Sequence, residues 1–155
     1  MACNIFTGGA PCLTSLRLRG FGIQRCLPPL TTVNNLQIRE PFNGDKMSIA
    51  RLASILDGLP VLTHLVINGD FIDRWTPVAQ IYLPFLRSFH LWTYDVTNQI
   101  PGLLNAISAP LLHSLPLEVL CEEIDDFSNG LYLTLQTPKF PSLRSLAPLS
   151  PIAPK

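Results

Sequence analysis

Three histidines, His64, His90 and His113, are the residues of this sequence best suited to bind a metal ion. They fall on successive segments that alternate between apolar and other residues, as β-strands do. His64 and His90 could approach each other if their strands are neighbours, but two imidazoles without a third ligand make a poor zinc site. The pattern therefore predicts histidines on a strand surface and no metal centre.

Sulfur and carboxylate groups do not form a recognisable site either. The cysteines are Cys3, Cys12, Cys26 and Cys121, with no C-x-x-C pair and no zinc-type spacing. We expect reduced thiols in an intracellular protein, since a Cys3–Cys12 bridge has only proximity in its favour. The acidic run from Glu118 to Asp126 lacks the glycine and the oxygen spacing of a calcium loop, which favours a solvated loop before a helix.

Motifs for covalent or phosphate chemistry are also missing. The sequence contains no Gly-x-Ser-x-Gly, no His-Glu-x-x-His and no phosphate-binding glycine loop. The two glycines Gly20 and Gly22 indicate only a turn. We therefore expect neither an enzymatic activity nor a bound cofactor.

Composition narrows the classes of partner and the cellular location. Apolar residues make up 47% of the chain and charged residues 14%, which is enough apolar material for a continuous core. The net charge of zero argues against nucleic-acid binding, which normally needs a basic surface. The N-terminus has no signal-peptide pattern and no apolar run is long enough to span a membrane, so we expect a cytoplasmic or nuclear protein.

The dominant feature of the sequence is an apolar phrase of the form Leu-x-x-Leu-x-Leu, which occurs six times and usually has a proline two residues before it. Its first apolar positions are Leu13, Val33, Leu62, Leu86, Leu112 and Leu143, separated by 20, 29, 24, 26 and 31 residues. Periods of this length are typical of leucine-rich repeats. A proline at this junction fixes φ and biases the residue before it toward extended backbone.

The last two apolar residues of each phrase are two positions apart and therefore share one face of an extended strand. These pairs are Leu16/Leu18, Leu36/Ile38, Leu65/Ile67, Phe89/Leu91 and Leu115/Leu117. One repeat cannot fold alone, because burial contributes about 1.5–3 kcal/mol per side chain whereas backbone ordering costs about 1–2 kcal/mol per residue. We predict an α/β leucine-rich-repeat-like solenoid of about six irregular repeats, with parallel strands on the concave side and short helices or loops on the convex side.

Prolines also predict where this array becomes irregular or ends. Pro116 cannot donate a hydrogen bond within its strand, so the fifth strand should be frayed or irregular. We expect a single array over residues 1–147 and a disordered proline-rich tail over residues 148–155, where prolines recur at every third position.

Helix signals occur between the strands. Residues 46–58 place Ile49, Leu52, Ile55 and Leu56 at helical spacing, and Gly58 should end this helix. Shorter helices are expected from Thr76 through Ile81, from Pro101 to Ser108, and from Asp125 or Asp126 to about Leu135. Residues 131–135 also alternate as a strand would, so that last segment stays open.

Side chains that alternate with the core positions should face solvent on the concave side. The candidate partner-binding residues among them are Arg17, Arg19, Gln37, Arg39, His64, His90 and Trp92. They form a gradient from three arginines, through polar and aromatic residues, toward Glu118. Because exposed Trp and Arg are enriched at binding hot spots, we expect a protein partner here. The alternative is an ordinary solvated strand surface on which Glu40 neutralises Arg39.

The proline-led phrases, with the segments at residues 8–16 and 56–65, resemble the degenerate leucine-rich repeats of fungal F-box proteins over essentially the whole chain. The resemblance implies that the repeats recruit a protein for ubiquitination, while an N-terminal F-box docks on a Skp-type adaptor of a cullin ligase. This sequence has no F-box, so we expect a non-catalytic, substrate-recruiting fragment with an indirect link to such a ligase. It also lacks the Asn or Cys that follows each strand in regular repeats, and Gly69-Asp70 occupies one such place.

Two other hypotheses stay open from the sequence. The alternating strands and helices could form a small doubly wound α/β domain with an enzymatic role, whose ligand would bind at the carboxyl ends of the strands. The chain could also be a degenerate gene product without an independent function. The regular spacing of the phrases and the missing glycine fingerprint argue against the doubly wound domain.

Overall fold

A computed structural model describes residues 10–19, 30–40, 46–75, 80–95, 97–119 and 139–147 of the chain. The predicted proline-rich tail and the predicted helix near residues 125–135 lie outside these ranges. The described residues form an α/β structure with three sheets and two helices.

The largest sheet has six parallel strands. They are β1 (Ser15–Arg19), β2 (Asn35–Arg39), β4 (His64–Asn68), β7 (Ser88–Thr93), β9 (Ser114–Val119) and β10 (Ser145–Ala147). Their spatial order is β1-β2-β4-β7-β9-β10, so each strand lies beside the next one along the chain and the sheet is open. This order differs from that of a doubly wound sheet, in which it reverses and creates a ligand crevice.

The return segments contain the remaining elements. They are β3 (Met47–Ser48), α1 (Ile49–Asp57), β5 (Ile72–Arg74), β6 (Ile81–Tyr82), α2 (Gln99–Ala106) and β8 (Ile107–Ser108). β3 pairs with β5 and β6 pairs with β8, both in parallel. Successive returns are therefore joined by backbone hydrogen bonds, as the main strands are.

The helix predicted over residues 46–58 is confirmed as α1, and its four predicted apolar residues are its buried face. It begins later than predicted because Met47 and Ser48 pair with β5, after which the Ser48 hydroxyl accepts a hydrogen bond from the Arg51 amide. The helix predicted from Pro101 to Ser108 is α2, displaced toward the N-terminus because Ile107 and Ser108 form β8.

The short helix predicted through Ile81 is wrong at its end, since Ile81 lies in β6 and pairs with Ile107. Residues 76–79 lie outside the described residues. The prediction of an irregular fifth strand is confirmed only locally. β9 is a six-residue strand, but its pairing with β7 is interrupted around Pro116, which has no amide hydrogen to donate.

A tight turn opens each of the six repeats. In every case the first apolar residue of the phrase donates its amide to the carbonyl three residues earlier, at 3.0–3.2 Å. The six pairs are Leu13–Ala10, Val33–Leu30, Leu62–Leu59, Leu86–Leu83, Leu112–Ala109 and Leu143–Phe140. The recurring proline thus occupies the second position of a β-turn, where its fixed φ is favoured.

The core forms between the main sheet and the return segments. The inward pairs of β2, β4, β7 and β9 are at most 1% exposed, which confirms the predicted core of these strands. Leu16 on β1 is only half-buried, because β1 is the first strand of the sheet and pairs on one side. The apolar residue at the start of every described turn except the first, such as Leu59 or Leu83, is an additional core position, and Ala10 at the first turn is partly buried.

Gly102 provides a test of how closely α2 packs on the core. A Cβ at this position would lie 2.5 Å from two ring carbons of Trp75. Overpacking costs about 1–3 kcal/mol, whereas the helix propensity of Ala over Gly contributes about 1 kcal/mol. Gly102→Ala should therefore lower the free energy of unfolding by about 1 kcal/mol in urea titrations.

Asn105→Ala is the matched control, because Asn105 is exposed on the same helix and its replacement adds helix propensity without a clash. We expect its stability to equal or exceed that of the wild type. A Gly102→Ala protein as stable as the Asn105→Ala protein would show that the helix is not held against Trp75.

Candidate protein-binding groove

The parallel register places the outward side chains of the main sheet in three rows that run across the strands. Row 1 is Ser15, Asn35, His64, Ser88 and Ser114; row 2 is Arg17, Gln37, Val66 and His90; row 3 is Arg19, Arg39, Asn68, Trp92 and Glu118. Each row joins equivalent positions of successive repeats. Rows 1 and 3 run from β1 to β9, and row 2 runs from β1 to β7.

Rows 2 and 3, with the first two residues of row 1, line a groove of about 840 Å³ that extends from β1 to β9. Of the seven predicted partner-binding residues, the groove is lined by Arg17, Arg19, Gln37, Arg39, His90 and Trp92. Its other lining residues are Ser15, Asn35, Glu40, Val66, Asn68, Tyr94 and Glu118. Six of the predicted residues thus share one surface, and His64 is the exception.

His64 lies outside the groove, as do its row 1 neighbours Ser88 and Ser114. Its Nδ1 is 2.8 Å from the hydroxyl of Thr63, and that hydroxyl donates to the carbonyl of Asn34 at 3.0 Å. Since the hydroxyl has only one hydrogen, the imidazole must donate from Nδ1. His64 and His90 also occupy different rows, so the approach considered from the sequence does not bring them together.

One end of the groove is basic. Arg19 and Arg39 are register partners on β1 and β2, and Arg17 lies beside Gln37 on the same two strands. All three arginines are exposed. Within the described ranges no carboxylate lies at ion-pair distance from Arg17 or Arg39, so Arg39 and Glu40 do not form an ion pair. Glu40 instead lies against Gly69.

The opposite end combines an acidic group with two aromatic rings. Nε2 of His90 lies 3.1 Å from Oε1 of Glu118, at ion-pair distance but without hydrogen-bond geometry. Trp92 and Tyr94 pack edge to face, with ring centroids 4.7 Å apart and planes at 72°. Tyr94 is 50% exposed. Tyr94 was not among the predicted site residues, although it continues the two-residue period of β7 beyond Trp92.

The aromatic end depends on Asp70, which follows β4. Its carboxylate accepts hydrogen bonds from the Thr93 hydroxyl, from the Tyr94 amide at 3.2 Å and from the Asp95 amide at 2.9 Å. The carboxylate thus fixes the backbone of the next repeat where Tyr94 leaves the sheet. Asp70 therefore joins its repeat to the next one, at a position after the strand where this sequence lacks the Asn or Cys of a regular repeat.

Gly69 makes this position of Asp70 possible. Its φ is +99°, a conformation that L side chains rarely adopt, and its amide donates to the carbonyl of Trp92 at 2.8 Å. A Cβ there would also lie 2.5 Å from Oε2 of Glu40. The chain turns away from β4 at Gly69 and directs Asp70 toward the repeat that follows.

Asp95 organises the loop between β7 and α2. Burial raises the pKa of its carboxyl, but hydrogen bonds from the side chains and amides of Asn98 and Thr97 outweigh burial, so the pKa lies below its ordinary value of 3.8. The carboxylate accepts from the Asn98 amide at 3.0 Å and from the Thr97 amide at 3.2 Å. The charged form of Asp95 therefore stabilises the folded loop.

The described residues do not contain a cluster of metal-binding or nucleophilic side chains. No cluster of three or more His, Cys, Asp or Glu side chains that could hold a metal occurs in the described part of the chain. Cys12 is a free, exposed thiol, and the other three cysteines lie outside the described residues. Neither α1 nor α2 is long and apolar enough to cross a membrane.

Replacement of Asp70 tests its contact with the next repeat. Asp70→Ala removes the acceptor of the Tyr94 amide. It leaves the Thr93 hydroxyl with the Asp95 carbonyl at 3.3 Å and the Asp95 amide with the Thr93 hydroxyl at 3.1 Å. A hydrogen bond to a charged group contributes about 1.5–3 kcal/mol. We expect a loss of about 2 kcal/mol in urea unfolding and a smaller loss for Asp70→Asn, which keeps one acceptor oxygen. Asp57→Ala, at the exposed end of α1, is the control and should change little; equal losses at both positions would contradict the proposed contact.

Acid titration tests the loop at Asp95. Because the folded pKa is depressed, the stabilisation is present above the ordinary value of 3.8 and is lost as pH falls through the folded value. Wild type should therefore exceed Asp95→Asn in free energy of unfolding at pH 7, and this difference should shrink toward pH 3. The difference between wild type and Ser54→Ala, which removes no ionisable group, should not vary with pH. A pH-independent advantage over Asp95→Asn would rule out the charged carboxylate as its source.

The groove is thus a polar and aromatic surface with opposite charges at its two ends, built on a sheet of in-register strands. The ionisable groups that line it are spread over several strands. No protein-family model, curated protein or solved structure is significantly similar to this chain.

Proposed function

We propose that this chain is a non-catalytic protein-interaction module built as a leucine-rich-repeat-like solenoid, resembling the substrate-recruiting repeats of an F-box protein. The groove is its partner-binding surface, and it lies on the concave side of the solenoid. The partner is a protein, and a link to a Skp–cullin ligase would be indirect, through an F-box that this sequence does not contain.

The observation that supports this proposal best is the alignment of six predicted contact residues along one continuous groove. Arg and Trp side chains are the residue types most enriched at binding hot spots. Row 3 contains basic, polar, aromatic and acidic side chains, whereas the inward face of the same strands is uniformly apolar. A varied outer face on a uniform inner face is the expected arrangement when the inner face maintains the fold and the outer face selects a partner.

The solenoid itself is supported by the recurring turn and the parallel strand order. Every repeat opens with the same hydrogen-bonded turn, and each strand of the main sheet pairs with the strand of the next repeat. Each repeat therefore contacts chiefly its two neighbours, which is the physical definition of a solenoid.

Affinity capture with groove variants tests the function. The full chain should retain a protein from a lysate of the source organism, and the triple variant Arg17→Ala, Arg39→Ala, Trp92→Ala should lose it, because truncation of hot-spot residues typically costs at least about 2 kcal/mol each. Mass spectrometry identifies the retained protein, and quantitative binding follows with the purified partner.

The matched control is Arg87→Ala, Arg144→Ala, Tyr82→Ala, which removes two guanidinium groups and one aromatic ring from exposed positions outside the groove. It should bind as the wild type does. Retention of the partner by the groove variant would exclude this surface. Direct capture of a Skp-type adaptor by the repeats would contradict the indirect link.

A further inference from the structure

We infer that the groove binds an extended, acidic segment of a partner protein, which crosses the strands with carboxylates at the arginine end and an aromatic side chain at the Trp92–Tyr94 end. This inference rests on the proposed function and adds the chemistry of the ligand and the end of the groove at which each of its groups binds. Its basis is the distribution of charge, exposure and spacing along the rows.

The positive charge at the arginine end of the groove determines which ligand group can bind there. Arg17 and Arg39 are exposed on neighbouring strands, and neither has a carboxylate at ion-pair distance within the described residues. A guanidinium group presents a planar set of donors that matches the two oxygens of a carboxylate. An acidic side chain of the ligand would therefore supply the partner that the folded chain does not provide.

The Trp92–Tyr94 end of the groove requires a different ligand group. Glu118 is adjacent to Trp92 in row 3 and lies beside His90, so this end would repel a second carboxylate. The exposed ring of Tyr94 and the edge-to-face Trp92 instead offer a surface on which an aromatic side chain can pack. Glu118 would also oppose a phosphate backbone lying along the whole groove, whereas a peptide can carry its carboxylates at one end only, which favours a peptide over a nucleic acid.

Strand spacing sets the distance between the two groups. Neighbouring strands lie about 4.8 Å apart, so Arg39 on β2 and Trp92 on β7 are separated by roughly 10 Å, and Arg17 on β1 lies roughly one strand farther away. An extended peptide advances about 3.3 Å per residue. The acidic residues should therefore precede or follow the aromatic residue by about three to five positions.

Selection from a library of random displayed heptapeptides on the full chain tests this inference. Enriched peptides should be acidic and should contain an aromatic residue about three to five positions from an acidic one, as the strand spacing requires. Enrichment of basic or uncharged peptides, or of none, would overturn the inference. Tighter binding of a single-stranded oligothymidylate than of any selected peptide would also overturn it, in favour of a nucleic acid.

The best enriched peptide, labelled with fluorescein, is then titrated with purified variants. Arg17→Glu combined with Arg39→Glu should weaken binding at least tenfold, and a peptide with Lys in place of its acidic residues should bind this double variant better than it binds wild type. Arg87→Glu combined with Arg144→Glu, two exposed sites outside the groove, should stay within twofold of wild type. An equal effect of the two double variants would show that only net charge matters and would reject the site.

The outcomes also separate this inference from the proposed function. If no peptide binds but the captured protein partner still depends on Arg17, Arg39 and Trp92, the groove recognises a folded surface and only the inference fails. If neither ligand depends on these residues, both proposals fail. Urea unfolding of each variant shows whether a loss of binding reflects a loss of fold.

Discussion

The rest of the structure depends on the stacking of each repeat on the next in register. The carbonyl that follows each turn, that of Thr14, Asn34, Thr63, Arg87 or His113, accepts hydrogen bonds from two consecutive amides of the following repeat, at 2.9–3.2 Å. Ordering a repeat costs about 1–2 kcal/mol per residue for the backbone, which a few buried side chains cannot offset. Pairing on both sides makes the burial of each apolar strand face complete.

The groove is a direct consequence of this stacking. When two inward residues of every strand are fixed in the core, the residues between them must face outward, and the parallel register aligns them into rows. The chemistry of the surface can then vary without altering the core. A contact between repeats also positions a residue beyond the strands. Gly69 and Asp70 follow β4, and they fix the backbone of the next repeat at Tyr94.

Some features could be predicted because a local pattern determines them. Alternation identified the core pairs, and helical spacing identified the buried face of α1. The predicted helix ends are wrong where a long-range contact overrides the local pattern. Three such segments pair with strands about 25 residues away in sequence: Met47–Ser48, Ile81–Tyr82 and Ile107–Ser108. They therefore form short strands at the ends of the predicted helices. At the site, His64 faces outward in row 1, but its hydrogen bond to Thr63 has no signature in sequence spacing.

The sequence by itself determined which residues are inward and which are outward, because the two-residue period of a strand is a local property of the chain. It also determined the positions of the turns through proline and the apolar residues around it. Only the tertiary structure decided which outward residues are neighbours. Arg39, Asn68 and Trp92 form one row because their strands pair in a particular register, and register is set by contacts between segments far apart in sequence.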